Sequence, residues 1–526
     1  MKRRKKIIAM SLSLLILLAG CGGGKGTTTN DTANGTAATG AAEPQRALKD
    51  TLTIAVNETV DQLDCGNVKL NTAHKVCRAL YDPLVYPADE SGEYKPCLAK
   101  SWEQKDDTTL IFHLRDDVVF HNGEKMTAED VVFSIQRSCE LPNNKTLFKA
   151  FDAENTKAID DFTVQVKFMY PFAAALNYLS SSRGGVVSKK AVEEMGNDKF
   201  GLAPIGTGPF KFAKWIEGDR IVLERNEDYW GEKPAFKNLI YRFITDDSVR
   251  AMELEAGGID AMFVVAPQDY DRLKENPDLM TYAESGFTTL MLQFNMRCDE
   301  FKDIRLRKAF AYAIDTSAIV KAVYGDLGTV ADGLFTDQIF GHVALGPTVR
   351  DMKKAKELLA EAGYSSGFKT EVTVPEGSSI QNILEIAQAQ WKEAGIDVSI
   401  KLYDTATMSA MNAKGETRFG RTNYTAVTGD PDHAMTVWNS TYGGVMQADD
   451  PHIDELMERG LGEFDTQKRA AIYKELQEYC WNTYYCIPIV FPKDTFANAK
   501  YVEGFDFRVG NPIYAPFYNN VKVYQE

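Results

Sequence analysis

Few residues of this 526-residue chain are spaced for covalent chemistry. It has six histidines and no GxSxG elbow, HExxH pair or GK[ST] phosphate loop, so local spacing assembles neither a nucleophile with its base nor a metal-held water. GGGKGTT at residues 22–28 lacks the phosphate-loop spacing. His113 and His121 bracket one hairpin, where a structural role is expected of both. Asp430, Asp432 and His433 in GDPDH combine acids with a base, but the plainer reading is a turn in which Asp430 caps a helix and Pro431 fixes its start. Apart from Cys21 there are seven cysteines with no CxxC spacing, so neither a zinc site nor a complete disulfide set is indicated. Cys480 and Cys486, flanking WNTYY, either pair or stay as buried thiols. No metal and no cofactor is expected. With no reactive constellation, the chain reads as one that binds rather than one that makes bonds.

The first segment decides where such binding takes place. Five basic residues, Lys2 to Lys6, precede an apolar run from Ile7 to Leu18, too short to span a bilayer and proportioned as a secretory signal over 1–20. Leu18-Ala19-Gly20-Cys21 then looks like a bacterial lipobox, in which cleavage precedes Cys21 and its sulfur carries diacylglycerol. Acyl chains of this kind hold a protein on a membrane through buried methylenes, each contributing about 0.8 kcal/mol. Residues 21–48 are Gly, Thr, Ala and Asn with almost no large apolar side chain, the composition of a flexible tether. Loss of the signal removes five of the 59 Lys and Arg and none of the 74 Asp and Glu, taking the net charge from −15 to −20. So acidic a body is a poor match for nucleic acid or anionic lipid.

At 44% hydrophobic and 11% aromatic, the remainder is long enough for two or three cores. DTLTIAV predicts a strand over 52–56, and RALYDPLVY a helix end broken at Pro83. Alternation over Thr109–Leu114 predicts a strand, Asn122-Gly123 a turn, and Thr127 with Glu129 and Asp130 a capped helix that turns Val131, Val132, Ile135 and Cys139 inward. PIGTGPFKF reads as a tight crossing before a strand, Asp303 as the cap of a helix running to Gly325, and Ser378 as the start of another that ends at Gly395 before the strand IDVSIKLY. Helix and strand alternate, as in an α/β lobe.

Several blocks carry a family likeness. The stretch Leu98–Arg137, PIGTGPFKFAKWIEGDRIVLERNEDYWGEKP, DIRLRKAFAYAID, AKELLAEAG, QWKEAGIDVSIKLYD and the late TGDPDH resemble, in order, the bacterial extracellular solute-binding proteins of family 5, the peptide/nickel-class subunits of ABC importers. The resemblance implies a periplasmic-binding-protein-like type II α/β fold with an added lobe. The first lobe would comprise 48–85, 206–291 and 493–526, the inserted second lobe 86–205, and the third 292–492. Hinge closure would bury a ligand between the first and third lobes. It also implies a monomer, no catalysis, and partnership with a membrane permease and its ATPase.

Peptide binders of the family hold an extended peptide by its backbone, with ion pairs for its ends. The aspartate that takes the amino group in dipeptide members falls at Val427 here, beside Thr428 and Asp430, while an aromatic residue is kept as Tyr424. The arginine for the carboxylate falls at Gln381 or Asn382. An unpaired buried terminus costs several kcal/mol, so ordinary dipeptides are disfavoured. In nickel-binding relatives an arginine near position 183 meets a chelate carboxylate, which singles out Arg183 in YLSSSRGGVVS to pair an anionic group, with Tyr424 and Trp438 expected to stack on it; Glu58 and Thr289 are cleft positions by analogy. The expected role is capture of a peptide or related small solute by an extracytoplasmic lipoprotein. A metal chelate or other small anion, or a receptor role for a peptide signal, are the competing readings.

Overall fold

Leu52, Ile54 and Val56 lie fully buried along β1 (Thr51–Val56), the first strand of the main sheet. The computed structural model describes residues 46–87, 92–375, 380–426, 428–435, 438, 448–505 and 518–525, with the backbone alone at 405, 406, 409, 413 and 421–424. Cys21 with its signal and tether, and Val427, lie outside the described residues.

Helix α1 (Asn71–Leu80) follows β1 and stops before Pro83. The next elements are β2 (Ala99–Asp106), β3 (Thr109–Leu114), α2 (Ala128–Glu140), β4 (Lys157–Asp160) and β5 (Thr163–Lys167). Their strands form an antiparallel sheet in the order β2–β3–β5–β4. The Asp130 carboxylate takes the Thr127 amide at 3.0 Å at the start of α2, and Val131, Val132 and Ile135 pack with Phe112 and Val164 in one core. Helix α3 (Ala175–Ser180) and a tight turn, Ser182–Gly184, follow, and two short helices, Lys189–Met195 and Asn197–Leu202, lead to the next strand.

The chain returns through β6 (Phe210–Ile216), β7 (Arg220–Arg225), β8 (Asn238–Phe243), α4 (Asp247–Glu255), β9 (Ala261–Phe263) and β10 (Leu279–Ser285). It continues with β11 (Thr288–Phe294), α5 (Ile304–Ala313), α6 (Thr316–Tyr324), β12 (Gly328–Val330), β13 (Phe368–Pro375), α7 (Ile380–Ala394) and β14 (Ile396–Tyr403). Last come β15 (Phe419–Thr425), the single turn α8 (Pro431–Ala434), α9 (Thr466–Thr483) and the long strand β16 (Cys486–Ala499). One twelve-stranded sheet runs β14–β13–β15–β11–β16–β9–β1–β8–β7–β6, and β10 and β12 also pair with β16. The first half of β16 bonds to β11 and β12 and its second half to β9 and β10, so one strand joins two sheet regions.

Successive side chains on β11 enter different cores: Leu290, Leu292 and Phe294 pack with α5 and α7, whereas Met291 packs with Met435, Trp438 and Cys480. A further core surrounds β1, α1 and β6 to β9. The helix expected from Asp303 to Gly325 is two helices. Ile314 is extended, and the Asp315 carboxylate accepts the Ala318 amide, so a second cap starts α6 within the apolar pattern. Cys480 and Cys486 are both free and buried. Among the described residues no helix is long and apolar enough to cross a membrane.

Candidate functional site

The loop Thr428–Asp430 and the turn α8 meet α3, the Ser182–Gly184 turn and α1. Asp430 sets the loop. Its carboxylate accepts the Asp432 amide at 2.9 Å at the head of α8, where Pro431 supplies the helical φ. The same carboxylate receives both terminal nitrogens of Arg469, from α9, at 2.8 and 2.7 Å, and both side chains of this pair are buried.

Across from it, the Tyr178 hydroxyl donates to Asp432 at 2.6 Å and the Asn177 amide donates to the Thr428 carbonyl at 3.1 Å, tying α3 to the loop. Burial, and secondarily the Asp430 charge, push the Asp432 carboxyl up to about 6. Arg183 is half-buried and donates to the Asn143 carbonyl at 2.7 Å. Its charge is felt by two imidazoles. His433 on α8 is pushed down to about 3 by burial and then by Arg183; His74 on α1 lies well below the usual histidine range for the same two reasons, with Lys75 adding to them. The Ser182 hydroxyl meets His74 Nδ1 at 2.8 Å. Three chain segments therefore bring His74 and His433 into the field of the Arg183 charge, which together with burial favours both imidazoles neutral.

The sequence-derived candidates are distributed around this junction. Arg183, Thr428 and Asp430 belong to it. Thr289 is buried on β11 directly opposite Tyr424 of β15, whose backbone alone is described. Trp438 is 2% exposed in the core that includes Met291 and Met435, and its indole N–H has no hydrogen-bond partner among the described residues. Glu58 follows β1, and its carboxylate accepts the Thr72 amide at 2.8 Å in the first turn of α1. Gln381 donates to Glu385 and Asn382 is exposed.

His113 is exposed on β3. His121 accepts the Gly206 amide at Nδ1 and donates from Nε2 to the Gly208 carbonyl, and burial pushes its pKa down to about 4. Among the described residues, no three His, Cys, Asp or Glu side chains are grouped to hold a metal. Tyr178, His74 and Arg469 were missed from sequence, because each meets its partner across a separation in the chain that no local pattern signals.

A family model for "Bacterial extracellular solute-binding proteins, family 5 Middle" matches residues 93–445. The glutathione-binding protein GsiB of Salmonella paratyphi A is 28% identical over 486 residues, covering 90% of this chain and 94% of its own. Among solved structures, the periplasmic binding protein DppA of Helicobacter pylori in complex with the peptide STSA superposes with a TM-score of 0.81 at 24% identity, over 91% of this chain and 99% of that one. NikA of Staphylococcus aureus in complex with Ni(L-His)2 gives 0.77 at 20% identity, over 90% and 100%. The mixed α/β fold is thus that of the periplasmic binding proteins, and the chain belongs to family 5 of the bacterial extracellular solute-binding proteins. It is a substrate-binding protein of an ABC importer, and members of its family bind solutes for transport without catalysing a reaction.

Proposed function

We propose that the protein is anchored at the outer face of the cell membrane by acyl chains on Cys21, and that it captures a short peptide or peptide-like anion as three lobes, 48–85 with 206–291 and 493–526, 86–205, and 292–492, swing shut. The ligand class is supported by the setting of Arg183, one guanidinium beside two imidazoles held neutral, where the helices of separate regions converge. A carboxylate suits that charge, and a planar guanidinium offers it paired donors. Position 427 is valine and positions 381 and 382 are Gln and Asn, so the termini of an ordinary dipeptide find no charged partners there. A solute whose anionic group is met by Arg183 fits better. The glutathione named for the Salmonella relative, a tripeptide with two carboxylates, is the natural first probe.

Calorimetric titration of the purified mature protein with glutathione, the peptide STSA and a nickel–histidine chelate tests this reading. Arg183→Ala is expected to weaken the bound peptide about tenfold or more, the scale of one charge-assisted hydrogen bond, with Arg183→Lys losing less. Unchanged affinity would refute the assignment, and preference for the chelate would move the ligand to the metal-complex class. Cys21→Ser is expected to release the protein from the membrane fraction. Full retention there would exclude the lipid anchor.

A further inference from the structure

The parallel strands β1, β8 and β9 end together at Val56, Phe243 and Phe263. Ligands of open α/β sheets bind outside such carboxyl edges. Among the described residues this edge carries two ionisable groups that no ion pair joins, Lys75 and Asp494. Lys75, in the middle of α1, is 8% exposed, and its ammonium lies 5.0 Å from the Phe263 ring centroid, at the end of β9. Asp494 is on β16, which runs antiparallel to β9 and passes beyond Phe263. One of its carboxylate oxygens is buried with no hydrogen-bond partner among the described residues, and it lies against the backbone of Gly286, where an added Cβ would stand 2.5 Å from it. Lys75 and Asp494 feel one another's charge, yet close no ion pair.

A third observation falls at the same place. Val264, directly after β9, has φ 60°, a left-handed conformation that is a genuine outlier for a β-branched residue. It is pinned there. Its amide donates to the Thr495 carbonyl at 2.9 Å, and its carbonyl accepts Arg250 at 2.8 Å. A buried carboxylate oxygen without a hydrogen bond and held backbone strain both cost free energy, and both collect at binding sites.

We infer that Lys75 and Asp494 form a head-group site for a zwitterion, in which Lys75 receives a carboxylate and Asp494 a primary ammonium of the same ligand. An α-amino-acid end, such as that of a γ-glutamyl peptide, carries both groups on one carbon. A carboxylate entering beside Lys75 would give its ammonium a hydrogen-bonded counter-ion beyond the Phe263 ring, and an ammonium entering beside Asp494 would satisfy its buried oxygen. Burial, opposed by Lys75, pushes the Asp494 carboxyl up to about 7, so the group is readily ionised by an arriving cation. The site would take the end of the solute opposite to the one met by Arg183, and in that respect it rests on the function proposed above.

The test titrates mature wild-type, Lys75→Met, Asp494→Asn and Arg183→Ala proteins with glutathione and with its counterpart lacking the α-amino group. Asp494→Asn is expected to weaken glutathione about tenfold or more and to leave the deaminated probe unaffected, while Lys75→Met weakens both. Ligand-free Asp494→Asn is expected to melt no lower than wild type, because its buried carboxylate oxygen has no hydrogen-bond partner among the described residues to lose. Asp494→Asn weakening both probes alike, or neither, overturns the inference, as does a lower melting temperature for its ligand-free form. A wild type that binds neither probe, and carries from its host no solute with a primary amine by native mass spectrometry, overturns it too. If Arg183→Ala binds normally while the Asp494 selectivity holds, the Arg183 assignment falls and the head-group site stands.

Discussion

Arg469 and Asp430 meet by two parallel hydrogen bonds in a setting where the side chains are 9% and 2% exposed, and the arginine also donates to the Gly460 carbonyl at 2.9 Å. Removing the arginine alone strands a buried carboxylate, so Arg469→Ala is expected to lose about 3–5 kcal/mol of unfolding free energy in denaturant titration. Asp430→Asn combined with Arg469→Met should recover most of that loss, since the asparagine still caps α8 and no charge is left behind. A double variant as unstable as the single would show that the pair acts through packing. Half of this arrangement was legible in the sequence. Asp-Pro before a short polar run announces a capped turn, and Asp430 does accept the Asp432 amide there. Arg469 was not legible, because an arginine on a helix 39 positions away carries no mark of its partner. Still longer separations hid Tyr178 from Asp432 and Arg183 from its two histidines, so at residue scale the sequence disclosed caps and turns but not the contacts that assemble the junction.

Elements were more readable, and the crossing at PIGTGPFKF shows why. Glycine and proline in that density announce a close passage of backbone, and the structure supplies the neighbour. A Cβ on Gly206 would stand 2.0 Å from the Leu80 carbonyl oxygen, and one on Gly208 2.6 Å from that of Ala79, both at the end of α1. His121 closes the passage from the other side through the Gly206 amide and the Gly208 carbonyl. Backbone cannot yield as a flexible side chain does, so Gly206→Ala is expected to cost about 3 kcal/mol or more as a forced overpacking, and to yield little folded protein. Normal expression with an unchanged melting temperature would mean that α1 shifts freely. Strand alternation at 396–403 and the inward set Ile380, Leu384, Ala387 and Trp391 were equally plain, because one buried face imposes its period on the sequence, whereas the strand at 109–114 is buried on both faces apart from His113. The misreading at 303–325 has the opposite cause: two consecutive helices packed on one core keep a common apolar period across their break, and only Asp315 betrays the second cap.

On the scale of the molecule, Ala47–Glu526 is one compact body whose ends are tied together, the Gln525 amide donating to the Ala47 carbonyl at 2.7 Å and Leu48 bridging Tyr524. A body this size buries titratable groups of both kinds, and their opposed shifts set how its stability follows pH. His74, His121 and His433 have folded pKa values below that of an unfolded histidine. Their contribution is present above about pH 6.5 and is lost as pH falls toward the folded values. Asp432 and Asp494 are raised, to about 6 and about 7, so their contribution is present below about pH 3.9 and is lost as pH rises through the folded values. Between roughly pH 4 and 6, unfolding therefore takes up protons at the three histidines and releases them at the buried aspartates, Asp82 being raised by burial as well, so the two sets oppose one another. Asp432→Asn removes one of the opposing groups. Its advantage over wild type is expected to be absent at pH 4 and to grow toward pH 7, where the wild-type carboxylate must be ionised in a buried place, and Tyr178 can still donate to the asparagine carbonyl. Denaturant unfolding of both proteins at unit pH intervals reads this difference. A gain that is constant with pH would mean that Asp432 does not titrate differently in the folded protein, whereas a gain that shrinks as pH rises would place its folded pKa below that of the unfolded chain.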